Sequence, residues 1–312
     1  MNIRNLYMYD LIIIGGGPGG VAAGIYGARK KIKTLLITDS FGGQSMVSAD
    51  IQNWIGVKSI SGFELAKALE EHLRVQEDID IIDDDLVVIV EKKATNFLVK
   101  TKNNKNFKTR HILIASGSRR RKLGIPGEKE LDGKGVAYCA TCDAPVFRNK
   151  TVAVIGGGNA GLEAVIDLFP YASKIYLLEY TAELKGDPLT QEKIRNNPKV
   201  EIITMAETTE ILGGEFVTGL IYKDRRSGEL KELKSDGVFV EIGAIPNSDF
   251  VKDLVELNKL GEIVVDPKTQ KTSCPGIWAV GDVTDVLYKQ NNISAGDAVK
   301  AVLNIDEELN KK

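Results

Sequence analysis

Residues 9–20 read YDLIIIGGGPGG, and residues 151–161 read TVAVIGGGNAG. Each is a short, almost continuous apolar run that breaks on glycine. Small and apolar residues follow: VAAGIYGARK after the first run and LEAVIDLFPYAS after the second. The apolar run suits a strand buried on both faces, the glycines a tight turn, and the next stretch a helix packed on a sheet. KTLLITD and KIYLLEY supply the second strands, so two βαβ units emerge, over 10–39 and 151–180. The first ends in Asp39, and the second carries Glu179 at the end of its last strand.

In a Rossmann turn the first glycine permits the bend, the second lets the backbone approach a pyrophosphate, and the third lets helix and strand pack closely. Gly15, Gly17 and Gly20 fill these places in the first copy, and Gly156, Gly158 and Gly161 in the second. The helix N-terminus behind each turn offers free N–H groups and the positive end of its dipole to phosphates. Glycines alone can mark no more than tight turns. Two copies in the same strand, turn and helix setting, each with an acid about 20 residues on, predict two dinucleotides. A carboxylate at that place accepts from a ribose 2′-OH and repels a 2′-phosphate, so Glu179 favours NADH over NADPH. Its plainer reading is a solvated strand end. Lys185 is the first cation after Glu179, so the local sequence lacks an arginine clamp for a 2′-phosphate.

With 312 residues the chain is about twice the usual domain length, which predicts two domains. Its formal charge of −2, from 41 basic and 43 acidic residues, supplies no one-signed field for nucleic acid or an anionic membrane. No apolar run approaches the roughly 20 residues that span a bilayer, and MNIRNLYMYD holds no apolar core of a signal peptide. A soluble, cytoplasmic protein with a small-molecule or protein partner is the expectation. Between the two units, FELAKALEEHLRVQ reads as helix, and DLVVIVEKK, NFLVKTK and RHILIAS read as strands. KLGEIVVDPKTQKTSCPGIWAVGD (259–282) reads as β followed by a turn, and SAGDAVKAVLNIDEEL as a closing amphipathic helix. This tail has no sheet of its own and is assigned to the first domain. SGSRRRKLGIPGEKE (116–130) reads as a domain connection, in which Arg119–Lys122 is either a solvated connector or a docking patch for an acidic partner.

Residues 138–145 read YCATCDAP. Cys139 and Cys142 could be a redox pair, half a metal site or two core thiols. A zinc site needs about four Cys or His ligands, and the remaining Cys274, His72 and His111 make no second pair. Cys274 is expected to be a buried thiol and His72 an exposed helix residue. A C-x-x-C pair can form a small disulfide whose thiolates exchange with another disulfide. A flavin is the carrier that would connect such a pair to a nicotinamide. Asp143, next to Cys142, is the nearest ionisable group and the candidate proton carrier, against the reading of a solvated turn aspartate.

Taken together, GGGPGG (15–20), FGGQ (41–44), IQNW (51–54), IASG (114–117), CATCD (139–143), GGGNAG (156–161), LLEY (177–180), AVGD (279–282), YKQ (288–290) and SAG (294–296) resemble the low-molecular-weight thioredoxin reductases over essentially the whole chain. Within that family the reductase portion of the alkyl hydroperoxide reductase flavoprotein is most similar. The resemblance implies an α/β protein of two Rossmann-like domains, with a nicotinamide domain (120–244) inserted into a discontinuous FAD domain (1–119 and 245–312). It implies FAD held at Gly15, Gly17, Gly20, Asp39, Gln44, Asn53, Gly117 and Asp282, with Lys289 and Gln290 near the flavin. It places the nicotinamide at Gly156, Gly158, Asn159, Gly161 and Glu179. It further implies a homodimer, and a nicotinamide domain that rotates to present the flavin alternately with nicotinamide and disulfide.

The chain departs from that pattern in two places. EYTAELK (179–185) stands where NADPH-using members carry an arginine cluster, as in the NADH-using flavoprotein. Ala144, Pro145, Val146 and Phe147 follow the aspartate where many members have glycine and aromatics. The first strand begins by Tyr9, so no N-terminal redox domain is expected, and electrons are expected to leave the cysteine pair for a separate thioredoxin-like protein. The competing expectations are a glutaredoxin-like partner feeding a peroxidase, a ferredoxin-fed reductase, a plain NADH oxidase, and a redox sensor without turnover.

Overall fold

The structure is a computed structural model that describes residues 8–48 and 51–311. β1 (Met8–Gly16) runs through the middle of its sheet because it is apolar on both sides. Leu11 and Ile13 enter one cluster with Val21, Trp278 and Ile305, while Ile12 and Ile14 enter another with Leu35, Ile112 and Ile277. Burying each such side chain contributes about 1.5–3 kcal/mol.

α1 (Pro18–Arg29) returns the chain to β2 (Thr34–Phe41), parallel to β1. α2 (Gly62–Arg74) starts on a capping box, in which Ser61 Oγ accepts from Glu64 N–H and Glu64 Oε2 accepts from Ser61 N–H. Then come β3 (Ile79–Ile82), β4 (Val87–Lys92), β5 (Phe97–Thr101) and β6 (Asn106–Ile114). The sheet order is β3-β2-β1-β6-β5-β4, with β4 and β5 antiparallel.

The second sheet is wholly parallel. It holds β8 (Val136–Ala137), β9 (Thr151–Ile155), β10 (Lys174–Glu179), β11 (Val200–Thr204) and β15 (Gly237–Val240) in the order β11-β10-β9-β15-β8. α3 (Ala140–Asp143), α4 (Asn159–Leu168) and α5 (Pro188–Arg195) accompany it. β12 (Ala206–Gly213), β13 (Val217–Asp224) and β14 (Leu230–Lys234) form an antiparallel sheet that packs Val217, Leu220 and Tyr222 beneath Ala153 and Val238.

After this second unit the chain returns to the first sheet. β17 (Ile277–Ala279) lies parallel to β6, and α6 (Asn291–Asn310) packs along α1. The protein is therefore α/β, with one Rossmann-type unit inserted in the sequence of another. β7 (Ser118–Arg120) and β16 (Ala244–Pro246) pair antiparallel where the chain passes between the units.

Residues 259–271 differ from the β expectation. They make isolated bridges, Leu257 with Ile263, Ile263 with Thr284 and Lys271 with Trp278. Gly261 at φ +81° and the turn closed by Gln270 N–H on Asp266 O interrupt any longer ladder. His72 is exposed and Cys274 buried, with Lys92 Nζ 3.6 Å from its sulfur. Among the described residues no cluster could hold a metal, and no helix is long and apolar enough to cross a membrane.

Candidate functional site

The two glycine turns have the same internal logic. Gly15 sits at φ +116°, where a methyl group would strike the Ala115 carbonyl oxygen, and a methyl group on Gly20 would strike the Gly15 carbonyl oxygen. Gly156 at φ +119° packs on the Glu241 carbonyl, and Gly161 faces the Gly156 oxygen in the same way. These four glycines are demanded by the protein's own backbone. Gly17 and Gly158 are not: their φ values are −73° and −82°, and a methyl group on either would have open space around it. Each caps a helix of at least ten residues. Glycine at such a place fits close approach by a phosphate group to free N–H groups. The residues present thus suit a dinucleotide at both turns.

From the first turn a cavity of about 630 Å³ runs past Gly15, Gly17, Asp39, Gln44, Gly117 and Asp282. A second, of about 310 Å³, shares Gln44 and Asp282 with it. It continues past Asn53, Lys289 and Gln290 and ends on Cys139, Cys142 and Asp143. The structure thus gathers the expected flavin residues and the cysteines along one cleft. Gly20 lies outside it and shapes the turn instead. The walls are fastened to each other: Gln44 Nε2 donates to Ser118, Asn291 Nδ2 donates to Ser45 Oγ at 2.8 Å, and Asn53 Nδ2 donates to Gln290 Oε1 at 3.4 Å. Lys289 is tied to Glu262 at 3.0 Å and to the Thr284 carbonyl.

Cys139 and Cys142 are joined as a disulfide. Beside it Asp143 is half-buried, and burial pushes its carboxyl up to about 7 against the pull of Arg120. Burial likewise raises Asp282, against Lys289 and Arg120. Two members of this cluster have no role assigned at this site from the sequence. Glu241, one residue past β15, is buried, and burial takes its carboxyl up to about 7 against the pull of Arg120 and the Ala140 N–H between the two cysteines. Arg120 lines the same cleft, and its charge opposes the upward shift of Asp143, Glu241 and Asp282. The one sequence signal for Glu241 is an acid at the end of the apolar run VFV.

Arg119, Arg121 and Lys122 are exposed, as a solvated connector would be, and Arg120 is half-buried. Arg119 donates to Asn247 Oδ1 at 2.9 Å, Arg120 turns toward the cleft, and Lys122 pairs with Asp132 at 2.9 Å over the Tyr138 ring.

At the second turn Glu179 is buried and not a solvated strand end. Its Oε2 accepts from Gly157 N–H at 2.7 Å, and its Oε1 from Thr181 N–H at 2.8 Å and Thr181 Oγ1 at 2.6 Å. Asn159 Oδ1 accepts from Asp187 N–H at 2.8 Å. The sequence neighbourhood lacks arginine, yet the turn after β13 brings two: Arg225 onto Tyr180, and Arg226 onto Thr204 Oγ1 at 2.6 Å, in register with Glu179. None of the second turn's glycines lines the cleft, so the disulfide faces it alone.

A family profile, that of the pyridine nucleotide-disulphide oxidoreductases, matches residues 9–300. The chain belongs to that family. An alkyl hydroperoxide reductase subunit of Pseudomonas putida is 46% identical over 298 residues, which is 95% of this chain and 57% of that protein. The chain thus spans a little over half the length of that relative. Thioredoxin reductase from Streptococcus pyogenes superposes with a TM-score of 0.89 at 32% identity, over 97% of this chain and 98% of that one. A Lactococcus lactis thioredoxin reductase, described as being in the FR conformation, gives 0.67 at 33% identity over 96% and 98%. The oxidoreductase family, the two-domain fold and the disulfide in the cleft therefore agree with one another.

Proposed function

We propose that this chain is a disulfide reductase that carries electrons from NADH, by way of FAD, to Cys139–Cys142 and on to a thioredoxin-like acceptor. One observation carries the reading: the disulfide closes the end of the cleft that begins at the first glycine turn. Gly15, Gly17 and the α1 N-terminus would hold the FAD pyrophosphate and Asp39 its ribose. Gln44, Asn53, Gly117, Asp282, Lys289 and Gln290 would line the rest. Gly156, Gly158, Gly161, Asn159 and Glu179 would hold NADH, with NADPH a weaker substrate. A flavin bound there accepts two electrons from a nicotinamide and passes them to a disulfide.

The chain's own groups then do the proton work. Opening the disulfide with two electrons leaves sulfur anions, and Asp143, whose carboxyl burial raises to about 7 so that close to half of it is protonated at neutral pH, can hold a proton beside Cys142 for one of them. The other thiolate attacks the acceptor's disulfide, and its partner resolves the mixed disulfide, which releases a reduced acceptor. Nicotinamide and disulfide cannot both face the cleft. The body 120–244 is accordingly read as turning on the β7–β16 ribbon relative to 1–119 and 245–312. Two units placed differently also account for the lower superposition on the Lactococcus lactis structure at matched identity and coverage.

The likeness to the Pseudomonas putida alkyl hydroperoxide reductase protein supports a second form of this reading, in which the thioredoxin-like or glutaredoxin-like acceptor feeds a peroxidase. A homodimer is part of the proposal, with exposed Ile55, Leu287 and Tyr288 as the apolar residues a second copy would cover.

Anaerobic stopped-flow mixing with NADH and NADPH, followed by a thioredoxin disulfide, tests the route. Flavin bleaching by NADH and thioredoxin reduction that both cysteines are required for is the expected result. Bleaching by neither nicotinamide would make a ferredoxin-type donor the better account. NADH oxidation that survives Cys139→Ser and Cys142→Ser would make the protein an oxidase.

A further inference from the structure

Three segments far apart in the sequence are fastened to one another where the parallel sheet of the second unit ends. β10 runs out at Glu179 and β11 at Thr204. Just past β11, the Met205 N–H donates to the Thr181 carbonyl at 3.0 Å, and the Met205 carbonyl accepts from Arg225 N–H at 2.8 Å. The turn after β13 is closed on itself, with Arg226 N–H on Asp224 Oδ1 at 2.9 Å and Gly228 N–H on the Asp224 carbonyl at 2.7 Å. That turn sets Arg226 Nη2 on Thr204 Oγ1 at 2.6 Å. It also lays the Arg225 guanidinium over the Tyr180 ring, with Nη1 donating to the Tyr180 carbonyl. Tyr180 nevertheless remains 50% exposed. A ring backed by a cation and open over half its surface offers a face to a flat ligand.

The ring stands directly after Glu179, the carboxylate read as the ribose acceptor, at the carboxyl ends of strands where open parallel sheets take their ligands. In an adenine nucleotide the base is one bond from its ribose, so a ribose on Glu179 leaves the base within reach of Tyr180. We propose that Tyr180, backed by Arg225, is the plate on which the adenine ring of NADH stacks, and that the turn after β13 holds this plate in place. The proposal deepens the route above and rests on its placing of NADH at the second glycine turn. Tyr180 makes the contact, and Arg225 is a positioning residue behind it. Adenine is common to NADH and NADPH, so the plate serves both and leaves the choice between them to Glu179.

Calorimetric titration of the flavin-loaded full chain with ADP and with UDP tests this, since the two share ribose and diphosphate and differ in the base alone. Wild type is expected to bind ADP at least about tenfold more tightly than UDP, and Tyr180→Ala to bring that ratio below about threefold. Tyr180→Phe keeps the ring and should hold the ratio within about twofold of wild type, with Arg225→Ala in between. A wild-type ratio below about threefold, or no binding of either nucleotide, overturns the proposal even if no variant folds. So does a Tyr180→Ala protein that binds both nucleotides more weakly with the ratio intact, which is what a merely structural role predicts. Neither nucleotide carries electrons. A flavin that no nicotinamide bleaches would therefore refute the route and leave an ADP preference standing, whereas bleaching by NADH without an ADP preference would refute the plate and leave the route.

Discussion

Arg225 lays its guanidinium over the Tyr180 ring, 3.9 Å from the centroid, and donates to the Tyr180 carbonyl oxygen at 3.0 Å. This cation at the end of β10 is therefore engaged by the residue after Glu179. Glu179 itself spends both carboxylate oxygens on Gly157 and Thr181, which fixes a negative charge against the second glycine turn.

Nicotinamide preference should follow that fixed charge. Glu179→Arg is expected to lower the ratio of kcat/KM for NADH to that for NADPH by at least about tenfold, and Arg225→Ala to move it less than about threefold. If Arg225→Ala instead removes most NADPH activity, Arg225 reads a 2′-phosphate and the NADH assignment fails.

The glycines of the first turn can be told apart by what each one serves. Gly20→Ala drives a methyl group into the Gly15 backbone and should cost about 1–3 kcal/mol in urea unfolding. Gly17→Ala meets nothing in the protein and should leave the stability of the flavin-free protein within about 0.5 kcal/mol of flavin-free wild type, while the purified variant loses its flavin. A Gly17→Ala protein that retains flavin fully would show that no phosphate approaches there.

The glycine turns and the cysteine pair are legible in the sequence because their chemistry is local: strand, turn, helix and four consecutive residues. What escapes the sequence arrives across the fold. Arg226 reaches Thr204, the register partner of Glu179, from a turn more than forty residues away, so a search along the chain after Glu179 could not find it. Glu241 follows β15, which pairs with the strand β8 that leads into α3, and Arg120 lies on β7 in a separate two-stranded sheet, so neither is placed near the disulfide by the sequence around it. The bridges of residues 259–271 imitate a strand in sequence because Ile263, Val264 and Val265 favour extended backbone locally, while no neighbouring ladder is there to complete it.

The connection between the units is anchored to the redox segment through Glu128. Its buried carboxylate accepts from Leu123 N–H at 3.0 Å, Gly124 N–H at 2.7 Å and the Tyr138 hydroxyl at 3.1 Å, and Tyr138 directly precedes Cys139. Glu128→Ala orphans all three donors and should destabilise the protein by about 1–3 kcal/mol in urea. Tyr138→Phe removes one bond and should cost about 1 kcal/mol or less. Equal losses in the two variants would mean that the backbone N–H groups find water without difficulty.

Stability against pH offers a check on Asp143 that needs neither cofactor nor partner. Its folded carboxyl titrates at about 7, above the ordinary aspartate value of 3.8, because burial disfavours the charge more than Arg120 favours it. The folded state therefore binds the proton more tightly than the unfolded state. This contribution to stability is fully present below about pH 4 and is lost as pH rises through about 7. Asp143→Asn cannot ionise and escapes the loss. Urea unfolding of the disulfide-bonded protein should thus show Asp143→Asn gaining on wild type between about pH 5 and about pH 8, with Glu241→Gln moving in the same direction because burial raises that carboxyl as well. A difference between Asp143→Asn and wild type that stays constant across that range would mean that Asp143 is ionised throughout and holds no proton for the disulfide.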